Sequence, residues 1–262
     1  MKIISVVSAK GGVGKTTVCS NLSAALAFEG CNVLCIDLDP QNALRYHMGL
    51  DPSAIEGCSR ATLAGVSFHE ICVEARSGVR LIPYGSVTEE DRVEFEKILE
   101  SWPLWLRENL QSMALPPDTL VVVDTPPGPS VYLRQALRAA DLTLVATLSD
   151  AASYATLPMI ETLIHRYCVG RPGFIDYAYV INQVNRSRQL SRDVTDVMRD
   201  HLGERVIALI HQDQAVSEAL ACSQSVLEYD ANSQGTLDFV ETARWVIEKL
   251  SIAGYGDGQE RR

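Results

Sequence analysis

A glycine-rich stretch near the start of the chain, SAKGGVGKTT at residues 8–17, limits the fold more than any other feature. It follows the short apolar run of residues 2–8, KIISVVS, and precedes the segment from Lys15 to Glu29, whose apolar side chains fall on one helical stripe before Gly30. The sequence therefore predicts a strand, a loop and a helix in succession. A glycine-rich loop at a helix N-terminus presents backbone N–H groups and the positive end of the helix dipole, which predicts a cradle for phosphate.

Short apolar runs recur along the whole chain, and segments with helical spacing lie between them. Most runs are continuous rather than alternating, which is typical of strands covered on both faces. We therefore expect a doubly wound α/β fold with a mostly parallel sheet of seven or eight strands. The predicted strands are residues 2–8, 32–38, 79–84, 119–125, 142–148, 176–182 and 205–210. The predicted helices are residues 15–29, 88–102 with Thr88 as N-cap, 131–140, 151–167, 190–201, 214–222 and 233–250.

Length and composition indicate one globular domain. We expect this domain to span residues 1–251 and the glycine-rich polar segment 252–262 to be a flexible tail. The seven cysteines include no C-x-x-C pair, so they predict buried free thiols rather than a zinc cluster or a disulfide framework. No signal-peptide pattern and no long apolar stretch is present, which predicts a cytoplasmic protein. The net charge of −10 disfavours binding to a phosphate backbone unless basic residues are concentrated somewhere.

The loop departs at one position from the usual phosphate-loop pattern G-x-x-x-x-G-K-[ST], because Ala9 stands where the first glycine belongs. It carries a second lysine instead, Lys10, and as KGGVGKTT it resembles the deviant Walker A motif of the ParA/MinD (SIMIBI) P-loop ATPases. The resemblance implies an ATP- and Mg²⁺-binding homodimer with ATP sandwiched between protomers, in which Lys10 reaches the partner's nucleotide and Lys15 holds the β and γ phosphates. The implied cradle is Gly11, Gly12, Val13, Gly14, Lys15, Thr16 and Thr17.

Carboxylates stand at the ends of two other predicted strands, where phosphoryl transfer needs them. CIDLDPQ supplies Asp37 and Asp39, and LVVVDTPPG supplies Asp124. Asp-Pro by itself is also a common turn after a strand. By resemblance to the family's switch I and Walker B segments, Asp39 orients or activates the attacking water, Asp37 supports the Mg²⁺ shell, and Asp124 and the Thr16 hydroxyl bind Mg²⁺.

Two further residues match the family's adenine-facing loops. Asn182 ends the run YVINQ, and Asp213 lies in LIHQDQAVSEAL, where His211 replaces the proline usual in ParA. Asn182 is equally well explained as a turn residue that ends its strand.

Peripheral segments resemble the BcsQ proteins that are encoded with bacterial cellulose synthase. The segments are LIHQDQAVSEALA, SDAASYATLPMIE and LIPYG. The resemblance implies a slow ATPase switch that supports cellulose biosynthesis and secretion. Its partners would be a small BcsR-like protein and other secretion components, which recruit it to the inner membrane.

Two alternatives remain open. The first is a ParA-type DNA-partitioning ATPase, although the segment HQDQAVSEALACSQS contains no Lys or Arg, and the only arginine cluster, Arg186, Arg188 and Arg192, is typical of a solvated helix start. DNA binding is therefore unfavoured. Direct membrane insertion is also unfavoured, because the C-terminal residues lack an apolar face. The second alternative is a small-molecule ligase or kinase of the same fold, against which Lys10 argues.

Overall fold

In this computed structural model the strands of the described residues, 1–250, form one sheet. The strands are β1 (Lys2–Val7), β2 (Val33–Asp37), β3 (Val73–Glu74), β4 (Arg80–Ile82), β5 (Leu120–Asp124), β6 (Leu142–Leu148), β7 (Asp176–Val184) and β8 (Val206–His211). Their order is β3-β4-β2-β5-β1-β6-β7-β8, and every neighbouring pair is parallel except β3 and β4. The predicted doubly wound fold is confirmed. The predicted tail, residues 252–262, and residue 251 lie outside the described residues.

Helices connect these strands on both faces of the sheet. They are α1 (Lys15–Phe28), α2 (Ala43–His47), α3 (Cys58–Ala64), α4 (Glu89–Ser101), α5 (Trp105–Ser112), α6 (Val131–Ala139), α7 (Ala151–Tyr167), α8 (Gln189–Leu202), α9 (Gln214–Ala221), α10 (Val226–Tyr229) and α11 (Gln234–Lys249). The seven predicted helices are present with ends shifted by one or a few residues, and Thr88 caps α4 through a 3.1 Å hydrogen bond that its Oγ1 accepts from the Asp91 amide. None of the described helices is both long and apolar enough to cross a membrane.

Four short helices and one short strand were not predicted: α2, α3, α5, α10 and β3. The reason is their length, since none exceeds eight residues and a hydrophobic period needs more turns to become visible. In α5, tertiary burial fixes the helix, because Trp105, Leu106 and Leu110 are all fully buried.

The core lies on both faces of the sheet. Successive residues of β1 point to opposite faces, so that Ile3 packs with α4, α5 and α6 while Ile4 packs with α1 and α11. Both are fully buried, which explains why the strand is continuously apolar. The parallel arrangement brings the carboxyl ends of β1, β2, β5, β6 and β7 to one edge, where the loops that carry the candidate site residues meet.

Candidate functional site

The glycine-rich loop between β1 and α1 has the open backbone that an anion requires. Gly12 and Gly14 take left-handed conformations, with φ of 75° and 83°, and no heavy atom lies within 4 Å of a Cβ added at Gly12. The first turn of α1 has neither a side-chain cap nor an acidic residue, so its amides and its dipole face the loop. The loop is held from outside, because the Asn182 side-chain amide donates to the Val13 carbonyl at 2.8 Å.

Lys15 opens α1 and is almost completely buried beneath this loop, with 7% of its surface exposed. Burial lowers the pKa of its ammonium group, and the charges of Asp124 and Asp39 oppose that shift. A buried cation at the base of an amide-lined loop is suited to bind a phosphate group.

Two fully buried carboxylates lie side by side at the carboxyl ends of β2 and β5, because Asp37 and Asp124 are register partners. Asp37 accepts hydrogen bonds from the amides of Asp39 at 2.8 Å and Leu44 at 3.1 Å. Burial, and then the neighbouring Asp124, raise the pKa of Asp37 well above its ordinary value. Both Asp37 oxygens are thus used to fold the segment that begins at Asp39, so Asp37 organises this loop from below.

Asp124 differs from Asp37 because one of its oxygens has no partner. Its Oδ1 accepts from the Thr125 amide at 2.9 Å, and its buried Oδ2 makes no hydrogen bond with any described residue. Burial raises the pKa of Asp124 to about 6, while the nearby Thr16 hydroxyl and the charge of Lys15 act in the opposite direction. A buried carboxylate oxygen without a partner is suited to coordinate a cation.

The donors around this oxygen fit Mg²⁺ rather than a fully protein-bound metal. Within residues 1–250 no group of three or more His, Cys, Asp or Glu side chains could hold a metal ion. Mg²⁺ commonly uses one or two protein oxygens and takes its other ligands from water and phosphate. The Thr16 hydroxyl and Asp124 Oδ2 could provide those protein oxygens.

Asp39 lies above this pair with part of its surface exposed, and its Oδ1 accepts from the Gln41 amide at 2.9 Å. Of the three predicted carboxylates it is the one whose position leaves it open to solvent and hence to a water molecule. The structure therefore brings Lys15, Asp37, Asp39 and Asp124 together.

Lys10 reaches away from this buried group. Its Nζ lies 3.6 Å from Asp150 Oδ2, and both side chains are about two-fifths exposed. Asp150 is the N-cap of α7, where its Oδ1 accepts from the Ser153 amide at 2.7 Å. Sequence reasoning did not identify Asp150 as a partner of Lys10, and no local motif connects the two residues.

A cavity of about 180 Å³ adjoins the end of the loop. It is lined by Thr17, Asn182, Gln183, Ile210, His211, Gln212, Asp213, Val216, Ser217 and Leu220. Asn182 and Asp213 thus lie on one cavity, as expected. Gln183 was not predicted to line it, because the register shift that gives Gln183 a φ of 54° leaves no sequence signature.

Asp213 forms the wall of this cavity and has little capacity left for a ligand. Its Oδ1 accepts from the Ala215 amide at 2.9 Å and caps α9, while its Oδ2 accepts from the Gly235 amide at 2.8 Å and ties the loop to α11. In Asn182 only the side-chain nitrogen Nδ2 contacts the loop, so the side-chain oxygen does not take part in that hydrogen bond.

Comparison with known proteins gives a consistent result. Residues 1–247 match the family described as cellulose biosynthesis protein BcsQ. The chain is 30% identical over 258 residues to the chromosome partitioning protein ParA of Caulobacter vibrioides, with 95% of each chain covered. It is 28% identical over 251 residues to the cellulose biosynthesis protein BcsQ of Salmonella typhimurium, with 94% of each covered. The septum site-determining protein MinD from Pyrococcus horikoshii, complexed with Mg-ADP, shares the fold with a TM-score of 0.76 at 22% identity, over 97% of this chain and 98% of that one.

Proposed function

The chain belongs to the BcsQ family of P-loop ATPases, and from this membership we propose that it is an ATP-dependent dimerisation switch that supports bacterial cellulose biosynthesis. The observation that carries the proposal is the orphaned, buried Oδ2 of Asp124 beside the buried ammonium group of Lys15, below a loop of free amides. Such a site is incomplete without a phosphate and a divalent cation.

Each side chain has a distinct role in this proposal. The loop amides and Lys15 bind the β and γ phosphates of ATP, and Thr16 and Asp124 hold Mg²⁺, which neutralises phosphate charge when bound. Asp39 orients or activates the water that attacks the γ-phosphate. Asp37 positions Asp39 through the 2.8 Å bond to the Asp39 amide and supports the Mg²⁺ shell at a distance.

The exposure of Lys10 in the isolated protomer supports the dimerisation part of this proposal. Its amine rests on Asp150 at the rim of the loop and is free to reach the nucleotide bound by a second copy. ATP then joins two protomers face to face, hydrolysis releases them, and the closed state presents a composite surface to protein partners.

The first experiment measures nucleotide affinity and hydrolysis in four variants. Lys15→Ala should weaken ATP binding by about a hundredfold, which corresponds to about 3 kcal/mol for the loss of a charged hydrogen-bond donor. Lys97→Ala, an exposed lysine on α4, is the matched control and should bind ATP as the wild type does. Asp39→Ala should bind ATP and accumulate as a dimer with little phosphate release, whereas the exposed control Asp118→Ala should hydrolyse ATP normally.

The second experiment separates the switch from an enzyme that works as a monomer. Lys10→Ala should bind ATP in each protomer but fail to dimerise in light-scattering measurements. If Lys10→Ala dimerises normally with ATP, or if Asp39→Ala releases phosphate at the wild-type rate, the assigned roles are wrong.

A DNA-partitioning role is the second candidate, because the ParA of Caulobacter vibrioides is 30% identical over almost the whole chain. The test compares the ATP-loaded protein with duplex DNA and with a co-encoded small BcsR-like protein at moderate salt. Tight binding to the small protein without a DNA shift supports the cellulose role. A DNA shift that requires ATP would replace it.

We further propose that the protein acts in the cytoplasm and reaches the inner membrane through its partners. Adjacent cellulose synthase genes would support this pathway, and an adjacent centromere-binding partner would contradict it.

A further inference from the structure

The strand β8 ends the sheet and leaves one side of its backbone open. It is hydrogen-bonded to β7 alone. The Gln212 amide that follows it donates inward to the Val184 carbonyl at 3.0 Å, and the His211 amide donates outward to the Asp238 carboxylate at 2.7 Å. Because amides alternate in direction along a strand, the Leu209 amide also points outward, on the side away from β7.

A groove of about 310 Å³ runs along this open edge, and we call it the β8 groove. Its floor is the half-buried backbone and side chains of residues 206–209. Arg186 and Arg199 lie on the side of α8, and Asp238 and Glu241 lie on the side of α11. The Gln234 side chain also lies on the side of α11, where it donates a hydrogen bond to Asp238 at 2.8 Å.

The arginines on and near the groove have no acidic partner in the described part of the chain. No carboxylate of residues 1–250 lies within 4 Å of the guanidinium nitrogens of Arg186, Arg188, Arg192 or Arg199. All four are exposed, in a chain with a net charge of −10. Two of these arginines, Arg186 and Arg199, line the β8 groove, so the groove offers two unpaired cations to an anionic partner.

The geometry limits the kind of partner. From Gln189, three residues after Arg186, to Arg199 the helix rises about 15 Å, which is the length of four to five residues in a strand. Open edge strands are templates for a further strand. A phosphate backbone is disfavoured, because Asp238 and Glu241 would repel it along the whole opposite wall.

We propose that the β8 groove is a docking site for an extended acidic segment of a protein partner, which adds to the sheet beside β8. Carboxylates about four residues apart on one face of this segment pair with Arg186 and Arg199. The side chains at i+1 and i+3, between the carboxylates at i and i+4, face Glu241 and are polar or basic, since successive residues of a strand point to opposite sides. This inference requires neither nucleotide nor dimerisation, so it stands apart from the proposed ATPase cycle.

The test begins with a display library of 12-residue peptides, selected on the wild-type protein and counter-selected on Arg186→Glu/Arg199→Glu. The expected enriched peptides carry Asp or Glu at positions i and i+4, with polar or basic residues at i+1 and i+3. A labelled synthetic copy should bind the double variant at least tenfold more weakly than the wild type. The control Arg134→Glu, which removes a half-buried arginine of α6 paired with Glu100, should bind like the wild type.

Hydrogen exchange then distinguishes strand addition from contact with side chains alone. The bound peptide should slow exchange of the amides in residues 206–209, and a peptide with Lys for Glu should restore binding to the double variant. The double variant should keep the wild-type ATPase rate, which shows that it is folded.

Three results would overturn the proposal. The first is a selection that yields no acidic peptide or only peptides that bind the double variant equally well. The second is arginine-dependent binding without slower exchange in residues 206–209. The third is arginine-dependent binding of a 30-base-pair duplex that displaces the peptide, which would assign the surface to nucleic acid.

Discussion

Asp124→Asn should make the metal-free protein more stable while abolishing Mg²⁺-dependent hydrolysis. Burial raises the pKa of Asp124 from 3.8 to about 6, and each unit of difference between folded and unfolded states corresponds to 1.36 kcal/mol. Between about pH 4 and pH 6, Asp124 therefore keeps its proton in the folded state and loses it in the unfolded state. Stability falls as the pH rises through that window, by about 3 kcal/mol in total.

Asparagine resembles the protonated carboxyl group and keeps an acceptor for the Thr125 amide. The gap between the free energies of unfolding of Asp124→Asn and the wild type should therefore be near zero at pH 4 and about 3 kcal/mol at pH 8. The assay is urea unfolding in EDTA at several pH values. The same variant should fail to release phosphate from Mg²⁺ and ATP.

The matched control is Asp141→Asn, which replaces a buried aspartate that has partners. Asp141 Oδ2 accepts from the Ile3 amide at 2.9 Å, and its Oδ1 pairs with Arg107 at 3.4 Å. This substitution should lower stability at pH 8 by about 1 kcal/mol or more, because it leaves Arg107 without its counter-charge. If Asp124→Asn is less stable than the wild type at pH 8, or if its gap does not change with pH, Asp124 is not an uncompensated buried carboxylate.

Three further substitutions test other parts of the structure. Gly14→Ala places a Cβ 2.4 Å from the Asn182 amide nitrogen at a φ of 83°, and urea unfolding should register a loss of about 2–3 kcal/mol together with a loss of nucleotide binding. Trp105→Ala empties a fully buried site far from the loop and should lower stability by about 3–5 kcal/mol, with an unchanged ATPase rate per folded molecule at low temperature. Asp150→Asn removes an exposed ion pair of at most about 1 kcal/mol in each protomer and frees Lys10. Since a symmetric dimer would break two such pairs, sedimentation should detect the ATP-bound dimer at a protein concentration up to about thirtyfold lower; a shift to higher concentration would mean that Asp150 assists dimerisation.

The sequence specified those parts of the fold in which one local signal dominates. The bounds of β6, residues 142–148, were predicted without error. This strand pairs with β1 on one side and β7 on the other, and its burial makes it a continuous apolar run. The helix of Trp105 was missed, since its eight residues are held by aromatic neighbours distant in the chain, Phe68 and Phe95. The order in which strands pair across the sheet could not be predicted from the sequence patterns either. The short antiparallel strand at Val73 was missed for the same reason.

The candidate site shows the same division. Loop and carboxylates could be located from their motifs, because each motif is local and each strand end lies on the same edge of the sheet. The hydrogen-bond partners of each carboxylate oxygen could not be predicted from the sequence. They are amides of folded loops, such as the Leu44 amide that donates to Asp37. The Lys10–Asp150 contact joins residues 140 positions apart and had no signal in either segment. The roles assigned to these residues remain predictions.

The glycine-rich loop is synthesised early, but the residues that hold it in place are synthesised late. Val13 is held by Asn182, 169 residues later, and the Asn21 side chain on α1 accepts from the Val226 amide across 205 residues. At a synthesis rate of about 5–20 residues per second, a growing chain carries the whole binding motif for about ten seconds or more before the partners of both hydrogen bonds have been synthesised. Nascent or truncated N-terminal pieces should consequently leave nucleotide to finished molecules, and a fragment ending before residue 182 would be an unsuitable reagent for studying this loop.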